Sequence, residues 1–107
     1  MRTTKPFLLI VEDDPGLQNQ LKWCFDGYEV LIAEDRDSAL VAVRRHEPPV
    51  VLQDLGLPPD PQGVSEGLST LQEILKVAPG TKVIVVTGQL DHANAVRAVG
   101  LGAVDFY

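Results

Sequence analysis

The 107-residue sequence has a single cysteine, Cys24, so it has no internal disulfide framework. A lone thiol is typical of a reducing compartment, and we therefore expect a cytoplasmic protein. Apolar runs are short, and the one from Phe7 to Val11 is far below the roughly 20 residues that cross a bilayer. The residues before it form no signal peptide, since the apolar core is too brief and no small-residue cleavage site follows. We expect neither a membrane span nor an export signal.

Basic residues are also scarce. The 9 Lys and Arg residues stand against 15 Asp and Glu, which gives a net charge of −6. Clustered basic side chains are what bind nucleic-acid phosphates, so this segment is not expected to bind nucleic acid directly. With 45% hydrophobic and 22% charged residues, the composition is that of a globular chain and not of a disordered one. The length predicts one domain, residues 1–107.

Strand-like apolar runs alternate along the chain with segments of helical period. Three of the runs are continuously apolar and rich in Val and Ile, as in parallel strands that are buried on both faces. This alternation predicts an α/β fold with a doubly wound parallel sheet. The carboxyl ends of such strands meet at one edge of the sheet, where ligands bind. The runs are Phe7–Val11, Val30–Ala33, Val50–Leu52, Val83–Val86 and Ala103–Tyr107.

Helix caps and loop residues mark the boundaries between these elements. Trp23 and Cys24, near the end of the first helix, are expected to pack at or near the core.

The connection from Leu55 to Glu66 holds three prolines and two glycines, which predicts an ordered but irregular loop. The candidate N-caps are Asp14 (before Pro15) for the first helix, Asp35 or Asp37 for the second, Ser65 for the third and Asp91 for the fourth.

Acidic side chains follow two of the predicted strands. Glu12 and Asp13 come after the first strand and Asp54 after the third, while Thr87 and Gly88 follow the fourth. Each residue alone is more often a helix cap or part of a turn, but together they converge at one sheet edge. Carboxylates about 4 Å apart repel by on the order of 4 kcal/mol at an effective dielectric near 20, and a divalent cation relieves this. An all-oxygen site suits Mg²⁺ or Mn²⁺, beside which a carboxylate can attack phosphorus.

Four motifs in this chain resemble the response-regulator receiver domain of two-component signalling, and the similarity extends over essentially all 107 residues. The resemblance implies a flavodoxin-like fold with a five-stranded parallel sheet in the order 2-1-3-4-5. The motifs are LLIVEDD (Leu8–Asp14), VVLQDLGLP (Val50–Pro58), VIVVTG (Val83–Gly88) and GAVDFY (Gly102–Tyr107).

The resemblance also implies a role for each residue of the predicted site. Asp54 would accept a phosphoryl group from a sensor histidine kinase. Thr87 would hydrogen-bond the phosphoryl oxygen, and Phe106 would be the switch aromatic that rotates inward as the threonine moves. The ion would be Mg²⁺, with Mn²⁺ as a possible substitute. Its implied ligands are Asp13, Asp54, the backbone carbonyl of Gly56 and, through a water, Glu12.

Three departures from the family pattern affect these expectations. The phosphate-binding lysine and the last helix of the family would follow GAVDFY, so we expect residues 1–107 to be a C-terminally incomplete receiver domain. With one face of the sheet bare, such a chain is expected to self-associate, and a homodimer is possible. Glu12 replaces the commoner aspartate, which lengthens one arm of the acidic pair. The loop after Asp54 is several residues longer than usual.

The long loop, together with VVTG and GAVDFY, is similar to the receivers of PEP-CTERM-box response regulators. These are transcription factors of the sigma-54-dependent, NtrC type. The similarity implies that the output is transcription regulation, through an AAA+ ATPase and a helix-turn-helix domain downstream.

Other functions stay open at this point. A Mg²⁺-dependent phosphohydrolase working through an aspartyl-phosphate typically has a second aspartate two residues after its nucleophile, where this chain has Gly56. A flavin- or nucleotide-binding module needs a Gly- or Ser/Thr-rich loop after the first strand, where this chain has acidic residues. A degenerate receiver could serve only as a docking module, although the acidic set is intact. The favoured hypothesis is a signalling domain that catalyses its own phosphorylation and dephosphorylation.

Overall fold

The computed structural model describes residues 5–59, 63–86 and 92–106. Strands and helices alternate strictly through these ranges, as predicted. No helix within them has the length and apolar character needed to cross a bilayer. The elements are β1 Phe7–Val11, α1 Pro15–Cys24, β2 Glu29–Ala33, α2 Arg36–His46, β3 Val50–Asp54, α3 Ser65–Val77, β4 Lys82–Val86, α4 His92–Gly100 and β5 Asp105–Phe106.

All the strands run parallel in one sheet, in the order β2-β1-β3-β4-β5. β1 and β3 are neighbours at its centre, with Val11 paired to Gln53. β4 lies on the far side of β3, where Val86 pairs with Asp54. The segments that follow β1, β3 and β4 therefore leave the sheet side by side at its carboxyl edge.

Successive strand residues point to opposite faces of the sheet, and different helices cover the two faces. On one face, residues of α2, α3 and α4 pack with alternate strand residues into the larger core. On the other face, α1 contributes the half-buried Leu21 and Phe25. The fully buried residues of this second cluster are Leu8, Ile10 and Leu52. We call this second side the α1 face.

The helix caps agree in part with the predictions. Asp14 caps α1, since its carboxylate accepts the N–H two residues on. Of the two candidates for α2, Asp35 is the cap and forms a capping box. The prediction for α3 is wrong, because Ser65 is the first helical residue and Val64 is the N-cap, without a side-chain bond. Asp91 lies outside the described residues.

The prediction that Trp23 and Cys24 pack at or near the core is wrong. The Trp23 side chain is 78% exposed, and Cys24 is exposed as well. Trp23 lies two positions after Leu21, which places it about 200° away around a helix of 3.6 residues per turn. Since Leu21 faces the sheet, Trp23 faces solvent. No residue of α1 is fully buried.

Candidate functional site

Three carboxylates meet at the carboxyl edge of the sheet. Glu12 and Asp13 directly follow β1, and Asp54 ends the adjacent strand β3. One carboxylate oxygen from each residue lies within 4.8 Å of those of the other two. Glu12 is only 4% exposed, and the other two side chains are half-buried. The parallel topology therefore brings together the acidic residues that the sequence places after separate strands.

Hydrogen bonds fix the position of Glu12. Its N–H donates to the Ala33 carbonyl at 2.9 Å, which continues the pairing of β1 with β2 beyond the last residue of β1. Its Oε2 accepts the Asp14 N–H at 3.1 Å. The Gln18 side chain, from the first turn of α1, donates to the Glu12 carbonyl. Hydrogen bonds therefore hold both the backbone and the carboxylate of Glu12 at the carboxyl end of β1.

Asp54 begins a short turn, residues 54–57, which we call the Asp54 turn. The Gly56 N–H donates to Asp54 Oδ1 at 3.2 Å, and the Leu57 N–H donates to the Leu55 carbonyl at 3.2 Å. The side chains of Leu55 and Leu57 are buried in the larger core. These apolar anchors hold the turn, so the backbone of Gly56 keeps the Asp54 carboxylate at the sheet edge.

Burial and mutual repulsion perturb the acid groups. Burial raises the pKa of Glu12 to about 7, and the nearby charges of Asp54 and Asp13 act in the same direction against the Asp14 N–H. Burial also raises the pKa of Asp54, opposed by hydrogen bonds from the Gly56 N–H and the Glu12 carboxyl. Without a cation, a proton held by Glu12 near neutral pH therefore relieves part of the repulsion.

The donor set fits a hard divalent cation. Mg²⁺ binds six oxygens at about 2.1 Å, so its ligands lie roughly 3 to 4.2 Å apart. The carboxylate oxygens all lie within 4.8 Å of one another, close enough for these residues to contribute to one coordination sphere, either directly or through a bound water. Among the described residues, the cluster contains no His or Cys ligand of the kind that zinc favours. Charge and chemistry both suit an oxygen-coordinated cation.

Part of the predicted site lies outside the described residues. Thr87 and Gly88 directly follow β4, whose last residue, Val86, pairs with Asp54. For Phe106, the structure describes the backbone in β5, paired with β4, and not the side chain. The roles assigned to these residues stay predictions.

The sequence interpretation missed two residues behind Asp54. Gln53 is fully buried, and its side-chain nitrogen donates to the carbonyl of Gly67 in the first turn of α3. Gly67 in turn lies against the backbone of Leu55, with no space for a β-carbon. Both residues carried a signal, because an amide is unfavourable within an apolar strand and glycine is unfavourable within a helix.

Comparisons with known proteins place the chain in a family. The profile of the response regulator receiver domain matches residues 8–107. The transcriptional regulatory protein GlrR from Escherichia coli (strain K12) is 34% identical over 101 residues, which cover 92% of this chain and 22% of GlrR. The chain belongs to the response-regulator receiver family. It spans about a fifth of the length of GlrR, the transcriptional regulator it matches.

Solved structures agree with this assignment. The receiver domain of NtrX from Brucella abortus matches with a TM-score of 0.82 and 31% identity, covering 94% of this chain and 82% of that one. A response regulator from Burkholderia pseudomallei, with a phosphorylated aspartic acid, a calcium ion and citrate, matches with a TM-score of 0.83 and 27% identity. That match covers 95% of this chain and 58% of the other. The predicted family and its α/β flavodoxin-like fold are confirmed.

Proposed function

We propose that this domain is a phosphorylation switch in which Asp54 accepts a phosphoryl group from a sensor histidine kinase. The observation that carries the proposal is the convergence of Glu12, Asp13 and Asp54, with carboxylate oxygens within 4.8 Å of one another. Membership of the receiver family supports it. So does the phosphorylated aspartic acid of the similar Burkholderia pseudomallei regulator.

In this proposal Asp13, Asp54 and the Gly56 carbonyl would hold Mg²⁺ directly, and Glu12 would act through a water. Mn²⁺ would substitute, since both ions prefer oxygen ligands. The bound ion supplies neutralisation of negative charge on the phosphoryl oxygens and the carboxylates. The protein's part is to bring these oxygens together at a half-buried edge, where their repulsion favours uptake of a cation.

In the transfer itself, the Asp54 carboxylate would be the nucleophile. An Asp54 oxygen attacks phosphorus and forms a P–O bond while the P–N bond to the donor histidine breaks. The leaving imidazole keeps the bonding electron pair and takes up a proton from solvent. The Gly56 N–H, bound to Asp54 Oδ1, orients the attacking carboxylate. The phosphoryl group on Asp54 carries a charge near −2 and three strong hydrogen-bond acceptors. Thr87 would donate to one of these oxygens, and Phe106 would move together with Thr87.

The output in this proposal is transcription regulation by a longer protein. Residues 1–107 would be the receiver domain of that protein. The similarity to GlrR, a transcriptional regulatory protein, supports this output. The resemblance to NtrC-type regulators implies that the output would be of the sigma-54-dependent type, with an AAA+ ATPase and a helix-turn-helix domain. The partners would be a sensor histidine kinase, that output and, as a homodimer, a second copy of the chain. A cytoplasmic location completes the proposal.

Labelling with acetyl phosphate tests this function. The longest form of the protein that its gene encodes is incubated with acetyl phosphate in Mg²⁺ or in EDTA, and the added mass is mapped by mass spectrometry. We expect one phosphoryl group per chain, on Asp54, in Mg²⁺ only and none in Asp54→Asn. The control is Asp14→Asn, which removes a neighbouring charge but keeps the α1 cap, since Asn caps as well as Asp. Labelling of Asp54→Asn at the wild-type rate would overturn the proposal.

A further inference from the structure

Directly behind Asp54, the sheet buries an amide where it otherwise buries hydrocarbon. Gln53 lies in β3 between Val11 of β1 and Val85 of β4, and all three residues are 0% exposed. Burial of a primary amide in such surroundings is unfavourable unless its polar atoms are hydrogen-bonded. Packing alone would favour an aliphatic residue at position 53. The reason for glutamine must therefore lie in the hydrogen bonds of its amide.

The Gln53 amide joins the Asp54 turn to α3. Its Nε2 donates to the Gly67 carbonyl at 2.5 Å and, at the longer distance of 3.4 Å, to the Asp54 carbonyl. Because both partners are acceptors, the nitrogen must face them. Gln53 Oε1 is then buried, without a hydrogen-bond partner among the described residues. The Gln53 side chain therefore donates two hydrogen bonds through its nitrogen while its buried oxygen accepts none. Buried acceptors without a partner are rare in folded proteins, so this arrangement points to a role for the two donated bonds.

The first turn of α3 also touches the Asp54 turn directly. A β-carbon on Gly67 would lie within 2.6 Å of three backbone atoms of Leu55, so helix and turn meet backbone to backbone. Glu66, the residue before Gly67, forms an ion pair with Arg36 of α2, at 3.1 Å. The start of α3 is therefore in contact with both α2 and the Asp54 turn.

We propose that Gln53 is a positioning residue for phosphoryl transfer to Asp54, through the hydrogen bonds that its buried amide donates to the Gly67 and Asp54 carbonyls. The amide fixes the turn in which the Gly56 N–H orients the Asp54 carboxylate. Gln53 acts through this turn and not by contact with the phosphoryl group. The inference rests on the proposed function, because it assigns Gln53 a part in the same reaction.

Gln53→Met separates positioning from packing. Methionine is similar in length and flexibility but lacks the amide, so it removes both donated bonds and the unsatisfied oxygen together. We expect a melting temperature equal to or above that of the wild type. The rate of labelling by acetyl phosphate at saturating Mg²⁺ is expected to fall about tenfold, equivalent to about 1.4 kcal/mol in the barrier. A purely structural residue would change stability and leave this rate unaltered.

The matched control is Thr70→Val, which removes a buried polar group in α3 and leaves Gln53 of β3 in place. Its hydroxyl donates to the Glu66 carbonyl within the helix and not to the Asp54 turn, so the change keeps the hydrogen bonds of Gln53. Thr70→Val should label at the wild-type rate whatever its stability. Labelling of Gln53→Met within about twofold of the wild type would overturn the proposal, since so small a change is under 0.5 kcal/mol.

Hydrogen exchange at the Gly56 amide reads positioning without any phosphorylation. It should be faster in Gln53→Met than in the wild type and in Thr70→Val, because the bond from Gly56 to Asp54 Oδ1 loses its support. Unchanged exchange would overturn the positioning role even if labelling fell. If exchange at Gly56 is faster in Gln53→Met but the wild type takes up no phosphoryl group, Gln53 positions the Asp54 turn and the proposed function is wrong.

Discussion

The backbone of Leu55 passes so close to Gly67 that a β-carbon at position 67 would lie 2.2 Å from the Leu55 carbonyl oxygen. Gly67 lies inside α3, where glycine is less favourable than alanine by about 1 kcal/mol. The reason for glycine is therefore space, because any side chain would push the helix off the Asp54 turn.

Gly67→Ala is accordingly expected to destabilise the domain by about 2 kcal/mol, despite the better helix propensity of alanine, because two backbone segments must separate. Labelling at Asp54 should fall as well, since the displaced segment is the Asp54 turn. Urea unfolding followed by circular dichroism measures the stability. The matched control is Gly100→Ala in α4, where an added β-carbon meets nothing within 4 Å. The control should be neutral or slightly stabilised, and equal destabilisation of the two variants would contradict the steric explanation.

The elements and the acidic cluster were predictable because both follow from short-range patterns and a general rule of topology. Strands covered on both faces are continuously apolar, which identifies β1 and β4 directly. The meeting of Glu12, Asp13 and Asp54 follows from the parallel direction of the strands that precede them. Neither inference needs the details of side-chain packing.

Other features depend on contacts between distant parts of the chain. Gln53 finds its acceptor in α3, 14 residues further on, and no local pattern indicates that partner. The exposure of Trp23 depends on which side of α1 meets the sheet. Ser65 matches the preference for an N-cap, but the preceding loop places Val64 at that position. Such assignments require the tertiary structure.

Stability of the metal-free domain is expected to fall as the pH rises from the unfolded pKa of Glu12, 4.5, to just above its folded value of about 7. In the folded chain, burial raises the pKa of Glu12 to about 7 and also raises the pKa of Asp54. The folded chain therefore binds protons more tightly than the unfolded chain. The stabilisation is complete below the unfolded pKa of Glu12, 4.5, and is lost as the pH passes through the folded value. At about 1.4 kcal/mol per pKa unit, the Glu12 contribution is about 3 kcal/mol at most.

Urea unfolding in EDTA at about pH 5.5 and about pH 8.5 measures this loss. Glu12→Gln, which has no proton to release at this position, should show a flatter profile. The lowered pKa of Asp35, caused by its hydrogen bonds from Ser38, has the opposite sign and acts only in acid. A wild-type domain equally stable at both pH values would contradict the perturbed carboxyl groups.

Mg²⁺ is expected to bind more tightly as the pH rises from about 6 to about 8, because the cation and the proton compete for the same carboxylates. Calorimetric titration in two buffers of different ionisation enthalpy measures both the affinity and the protons released. More protons should be released at the lower pH, where Glu12 is still protonated. Asp14→Asn, which changes an exposed carboxylate next to the cluster, should keep this pH dependence. An affinity independent of pH would show that the raised pKa values and the metal site are unrelated.

Trp23→Ala is expected to change the free energy of unfolding by no more than about 0.5 kcal/mol, as for other exposed substitutions. Leu71→Ala, in the larger core, should instead cost about 2 to 5 kcal/mol. Urea unfolding of both variants measures the difference. Since Cys24 is exposed too, a thiol reagent should modify it in the folded protein at a rate near that of the unfolded chain. A loss of stability in Trp23→Ala comparable to that in Leu71→Ala would contradict the exposed position of the indole.

Self-association of the 107-residue chain is expected through the α1 face, where apolar residues including Phe25, Ile84 and Val86 are only half-buried. Sedimentation velocity over a range of protein concentrations measures it. Ile84→Thr keeps a β-branched residue in β4 while removing apolar surface, and should shift the equilibrium toward monomer. The control is Val104→Thr, which changes a residue that is 55% exposed just before β5 and outside the α1 face, and should leave the equilibrium unchanged. If only Val104→Thr loses association, the contact lies at the β5 edge and not on the α1 face. A wild-type chain that is a monodisperse, thermally robust monomer would contradict the prediction of self-association.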